Sequence, residues 1–236
     1  EHSPFELVGM WVNKSWDECA KDLYNRLNTK HLEVLISDGG PGIDDAFLLP
    51  GMRQQRCQWH GKRDLSFILY ADGIKKAQQQ EVMSIFDSIP LTGMKKKSIE
   101  ALRDEDVEKL SQLRLKTMEG FTELYLFLQS KHYFKAAEYI WNLANPFVAF
   151  VDHFMQTNRL IHTTSNIIEG KIGLFKNRIK AIGRRWSEEG LLRWLAIAVR
   201  KLLPEYDWES LWNSITGSVL PITIKVELVL IRPGCH

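Results

Sequence analysis

The chain predicts an α/β fold whose sheet is interrupted by an all-α insertion and followed by C-terminal helices. Three observations carry this expectation. Short β-branched runs sit near the N-terminus, a glycine-rich turn follows an acid at residues 38–42, and the pattern then changes to helical spacing for most of the remaining chain. With 236 residues, 44% of them hydrophobic and 25% charged, the chain has enough apolar material for one large domain with an insertion.

Residues 5–12 (FELVGMWV) put apolar side chains on both faces, which predicts a strand buried on both sides. Ser15 with Glu18 three positions later forms a capping box, and Trp16, Ala20, Leu23 and Leu27 follow at helical spacing. Residues 32–37 (LEVLIS) then form a second strand, closing a βαβ unit with Asp38 at its carboxyl end. In parallel sheets that edge is where sites are built. Residues 43–49 predict a short helix stopped by Pro50-Gly51, and residues 53–60 a further strand carrying Cys57 and Trp59 on one face.

From residue 74 to about 159 the spacing is helical, with Pro90, Gly120 and Pro146 expected to separate the helices. A later helix opens at Asn166 with an apolar stripe of Ile168, Ile172, Phe175, Ile179 and Ile182. Another opens at Ser187 and carries Leu191, Leu192, Leu195, Val199 and Leu202. Four segments result: 1–73 as the N-terminal α/β part, 74–160 as the all-α insertion, 161–204 as C-terminal helices, and 205–236 as a tail of unassigned role.

The net charge of +2 does not by itself indicate a nucleic-acid partner. Local clustering does more: Lys171, Lys176, Arg178, Lys180, Arg184 and Arg185 make one helical region positive. That face is either solvated or bound to backbone phosphates. Three cysteines at irregular spacing describe no disulfide framework and point to a reducing, cytoplasmic compartment. No run approaches a membrane span, so a membrane partner is not expected.

Asp38 has two readings, a metal-binding carboxylate on a rigid strand end or the first residue of an Asp-Gly turn. Glu169, with Asn166 three positions before it, is either a functional carboxylate or half of an N-terminal cap. Cys57-Gln-Trp-His60 has the gap of a zinc half-site, but no second Cys/His pair accompanies it, which favours a packed strand.

In order and spacing, these pieces resemble the Mutator-like and related bacterial insertion-sequence DDE transposases. The matching residues are VLISDG at 34–39, QRCQWH at 55–60, TSNIIE at 164–169, and the basic KNR at 176–178. The match extends over about residues 5–200. The resemblance implies a partial ribonuclease H-like core, with Asp38 and Glu169 as catalytic metal ligands for two Mg²⁺ or Mn²⁺ ions. It marks Cys57, His60 and Asn166 as signature positions near the site. It further implies DNA cleavage and strand transfer on transposon ends and target DNA, nucleoid association in a prokaryote, and a homodimer on paired ends.

The resemblance supplies no first catalytic Asp. Asp17 lies on the predicted helix, the wrong element, so this polypeptide by itself is expected to have little or no strand-transfer activity. Two other readings stand beside the transposase: a non-catalytic transposase-derived DNA-binding or assembly protein, and an unrelated metal-dependent α/β hydrolase using Asp38 and His60.

Overall fold

In the computed structural model, residues 11, 13–92, 104, 106–182 and 187–200 are described. The chain divides into two compact units, Val8–Ile182 and a second made of Glu1–Leu7 with Gly183–His236. Apart from Trp11, the predicted strand at 5–12 lies outside the described residues, as does the tail beyond residue 204.

The first unit opens with helix α1 (Trp16–Arg26), and its capping box forms as the sequence predicts. The Glu18 amide donates to the Ser15 hydroxyl at 3.3 Å, and the Ser15 amide donates to the Glu18 carboxylate at 2.9 Å. Strand β1 (Val34–Ser37) follows, then a short helix α2 (Ile43–Phe47) and strand β2 (Arg53–Arg56). The strands pair in parallel, with Val34 opposite Arg53 and Ser37 opposite Arg56. Helix α2 is the crossover between them. The Tyr24 hydroxyl donates to the Phe47 carbonyl, which ties α1 to that crossover.

Every regular element after β2 among the described residues is a helix. Helices α3 (Gln58–Ala71), α4 (Gln80–Ser88), α5 (Val107–Ser130), α6 (Phe134–Thr157) and α7 (Asn166–Ile182) complete the unit. The described structure is therefore mostly helical, with one parallel strand pair at its N-terminal side. In the second unit, α8 (Glu188–Arg200) starts where Ser187 accepts the Gly190 amide at 3.1 Å.

Several element predictions need correction. Residues 53–60 are not one strand, because β2 stops at Arg56 and Cys57 becomes the residue before α3. Gly120 and Pro146 do not separate helices; they lie inside α5 and α6. A Cβ on Gly120 would meet Ile89 side-chain carbons at 3.1 Å, so this glycine allows close packing rather than a break. Pro90 does follow a helix end, at α4. In the expected apolar stripe of α7, Ile168 and Ile172 are exposed rather than packed in a core.

The core lies among the helices. Phe86, Phe121 and Phe147 are fully buried and pack edge-to-face, with centroids 5.3 to 6.0 Å apart. Leu65, Leu69, Leu110, Leu124, Leu128 and Ile140 are among the fully buried residues of the same core. The N-terminus of α6 is capped from another element, since Asp72 accepts the amides of Lys135 at 3.3 Å and Ala136 at 2.8 Å. Among the described residues no helix is long and apolar enough to cross a membrane.

A buried glutamine locks the strand pair to this core. Gln55 on β2 accepts the Phe150 amide at 2.7 Å and donates to the Phe147 carbonyl at 3.3 Å. Gln58 donates to the same carbonyl at 3.4 Å. These bonds fall just after Pro146, which has no amide to give to the helix ladder. The end of β2 is thereby fixed against α6.

Candidate functional site

Three sequence-predicted residues converge where β2 gives way to α3. Cys57 precedes the helix and His60 lies in its first turn, an i, i+3 pair that the helix turns to one side. The His60 Nδ1 is 3.2 Å from the Cys57 Sγ and 3.5 Å from Glu169 Oε1. One ligand atom from each of the three residues lies within 4.8 Å of the other two. Cys57 and His60 are buried, whereas the Glu169 side chain is 42% exposed and forms the open side of the cluster.

The connector after α6 brings Glu169 here. It begins at Asn158, whose positive φ of 55° ends that helix. Arg159 then donates to both carboxylate oxygens of Glu33, just before β1, at 2.6 Å each. At the other edge of the strands, the Gln58 amide donates to the Thr163 carbonyl at 2.9 Å, and the Ser165 amide donates to the Cys57 Sγ at 3.4 Å. The connector thus runs from the amino-terminal to the carboxyl-terminal edge of the pair and delivers the start of α7 beside Cys57.

Helix α7 begins one residue differently from the expected cap. Asn166 is its first helical residue and is exposed, and the amides of Ile168 and Glu169 donate to the Ser165 carbonyl at 3.0 and 3.1 Å. The Ser165 hydroxyl donates to Glu169 Oε1 at 2.5 Å. The reciprocal Asn166–Glu169 cap does not form; Glu169 faces Ser165 and His60 instead.

Asp38 is the first residue beyond β1. The Cys57 amide donates to the Ser37 carbonyl at 2.8 Å, so Asp38 leaves the strand beside Cys57. Its Oδ1 accepts the Gly40 amide at 3.0 Å, and the residue is partly exposed. Helix α2 is tied to the same edge, where the Ser37 hydroxyl donates to Asp44 at 2.7 Å.

Beside Gly39 stands Arg56, a residue that no sequence motif singles out. Its guanidinium pairs with Asp64 at 3.0 Å and occupies the space beside Gly39. A Cβ on Gly39 would fall 0.4 Å from Arg56 Nη1. With its φ of +71°, Gly39 is required both by the turn and by this close approach. Gly39 and Arg56 line a cavity of about 270 Å³ together with Asp44, Gln54, Tyr139 and Pro146. Burial pushes the Tyr139 hydroxyl at this cavity up to about 12, so it stays protonated through the neutral range.

Of the predicted basic residues, Lys171, Lys176, Arg178 and Lys180 lie on α7, with Lys176 and Lys180 exposed. Arg184 and Arg185 lie outside the described residues. Comparison with models of known families, with curated proteins and with solved structures finds no match to this chain.

Proposed function

We propose that this chain is part of a DDE transposase catalytic core of the Mutator-like class, in which Asp38 and Glu169 hold divalent metal for phosphoryl transfer on DNA. One observation carries the reading. Two carboxylates 131 residues apart in sequence (169 − 38) both border Cys57, Asp38 through the strand register and Glu169 through the start of α7. A carboxylate at a strand's carboxyl end and a second at a helix start, both beside Cys57, would supply two of the three carboxylates that the resemblance calls for.

Both groups reach solvent, and their oxygens suit Mg²⁺ or Mn²⁺. When bound, a pair of such ions activates a hydroxyl nucleophile and stabilises the leaving oxygen of an in-line displacement. The chain's own contribution is positional. Gly40 holds one oxygen of Asp38, the Ser165 hydroxyl holds one of Glu169, and the exposed Lys176 and Lys180 lie two and three turns further along the same helix for phosphate contact.

The test is duplex DNA binding by fluorescence anisotropy across a salt series. Affinity should fall linearly on a logarithmic salt scale, and Lys176→Ala with Lys180→Ala should reduce the slope by about 2. Asp38→Asn should leave this binding in place. Binding that is absent, or that ignores both lysines, contradicts the reading.

A further inference from the structure

We propose that Cys57, His60 and Glu169 form a binding site for a borderline-soft divalent ion of the Zn²⁺ class, with a fourth position open to water. The inference goes beyond the proposed function: it shares Glu169 with that reading but not Asp38, and it rests on the three side chains that stand together around Cys57.

The donor set is one sulfur, one imidazole nitrogen and one carboxylate oxygen, the types zinc takes in sites with three protein ligands and an exchangeable fourth. The spacing is close to what a bound ion needs. Ordinary zinc bond lengths in a tetrahedron require ligand atoms about 3.4–3.6 Å apart. Sγ and Nδ1 are separated by 3.2 Å, and Nδ1 and Oε1 by 3.5 Å. The remaining sulfur–oxygen separation, at most 4.8 Å, shortens by rotation of the half-exposed Glu169 side chain. The Ser165 amide donates to Sγ at 3.4 Å, which ties the sulfur to the connector that carries Glu169.

The geometry also discriminates against the nearest alternative, a Cys–His–Glu nucleophilic triad. A triad needs the imidazole to face the nucleophile with one nitrogen and the carboxylate with the other. Here the same nitrogen, Nδ1, faces both. In addition, Cys57 is fully buried and could not meet a substrate, while an ion can enter from the exposed Glu169 side. Three ligand atoms within 4.8 Å of one another, open on the Glu169 side, make a place for one ion.

The experiment titrates the purified chain with Co²⁺ as a spectroscopic stand-in for zinc. The expected result is one ion per chain, with tetrahedral visible bands and a near-ultraviolet sulfur-to-cobalt charge-transfer band, both erased by one equivalent of Zn²⁺. Glu169→Gln, an exposed change that leaves the core intact, should weaken Co²⁺ binding at least about tenfold. Cys57→Ser should remove the charge-transfer band, and Cys19→Ala should not. Asp38→Asn should leave the whole spectrum unchanged, which separates this site from the one in the proposed function. A wild-type chain with no charge-transfer band, or one whose band survives Cys57→Ser in a folded protein, overturns the inference.

Discussion

Replacing Gly39 by alanine should destabilise the protein by about 2–5 kcal/mol, well beyond the usual effect of a turn substitution. Two contributions add. The left-handed backbone at φ +71° costs an alanine about 1–2 kcal/mol relative to glycine. The new methyl would also coincide with the Arg56 guanidinium, at 0.4 Å from Nη1, so that side chain must leave its place beside Asp64. The side chains of that ion pair are 12% and 22% exposed, between the surface and the fully buried limits. Its disruption is therefore worth about 1–3 kcal/mol. Gly73 provides the control, because its φ is +86° and nothing lies within 4 Å of the added Cβ. Gly73→Ala should show the backbone cost alone. Urea unfolding followed by circular dichroism reads both changes as midpoint shifts at constant slope. If the two variants agree within about 0.5 kcal/mol, the displacement of Arg56 is not what makes glycine necessary beside Asp38.

Gln55→Leu should cost about 1–3 kcal/mol by the same assay, because it leaves the buried Phe150 amide without its partner and the Phe147 carbonyl with Gln58 alone; a neutral result would show that α6 supplies other bonds there. Ser15→Ala should cost about 1 kcal/mol through loss of the α1 cap, and Ser15→Asp should restore most of it. Burial holds His153 below its usual value of 6.5, against the opposing pull of Glu33. A histidine with a lowered folded-state value resists protonation, so its contribution to stability is full above 6.5 and declines as pH falls below it. Unfolding free energy should therefore drop on going from neutral to mildly acidic pH, and His153→Gln should flatten that part of the profile.

Local signals in the sequence were read well where a single side chain decides the conformation. Ser15 and Glu18 define the start of α1, and the Asp38-Gly39-Gly40 turn ends β1 as expected. Residues 43–47 form the short helix before Pro50-Gly51. The misreadings share a cause, which is tertiary contact overriding local preference. Residues 53–60 alternate like one strand, but Gln55 and Gln58 both bind the Phe147 carbonyl, and the chain turns into α3 between them. Gly120 and Pro146 look like breaks, yet one is needed for contact with Ile89 and the other lies at the face of α6 that receives Gln55. At the site, the Cys57–His60 spacing was visible and its third partner was not. A search for a matching Cys/His pair misses Glu169, which is 109 residues beyond His60 (169 − 60) and arrives only because Arg159, Thr163 and Ser165 tie the connector along the strands. Asp38 had the opposite problem, since its turn and its candidate chemistry use the same carboxylate.

Mn²⁺ binding decides whether Asp38 and Glu169, as proposed, act on one metal centre at the carboxyl edge of the strand pair. Electron paramagnetic resonance of free Mn²⁺ titrated with the chain should show binding that Asp38→Asn and Glu169→Gln each weaken at least about tenfold. The double variant should be scarcely worse than either single one, as expected of two ligands to a shared centre. Mn²⁺ binding that is absent from the wild-type chain, or is indifferent to Asp38→Asn, would show that the two carboxylates do not share a metal.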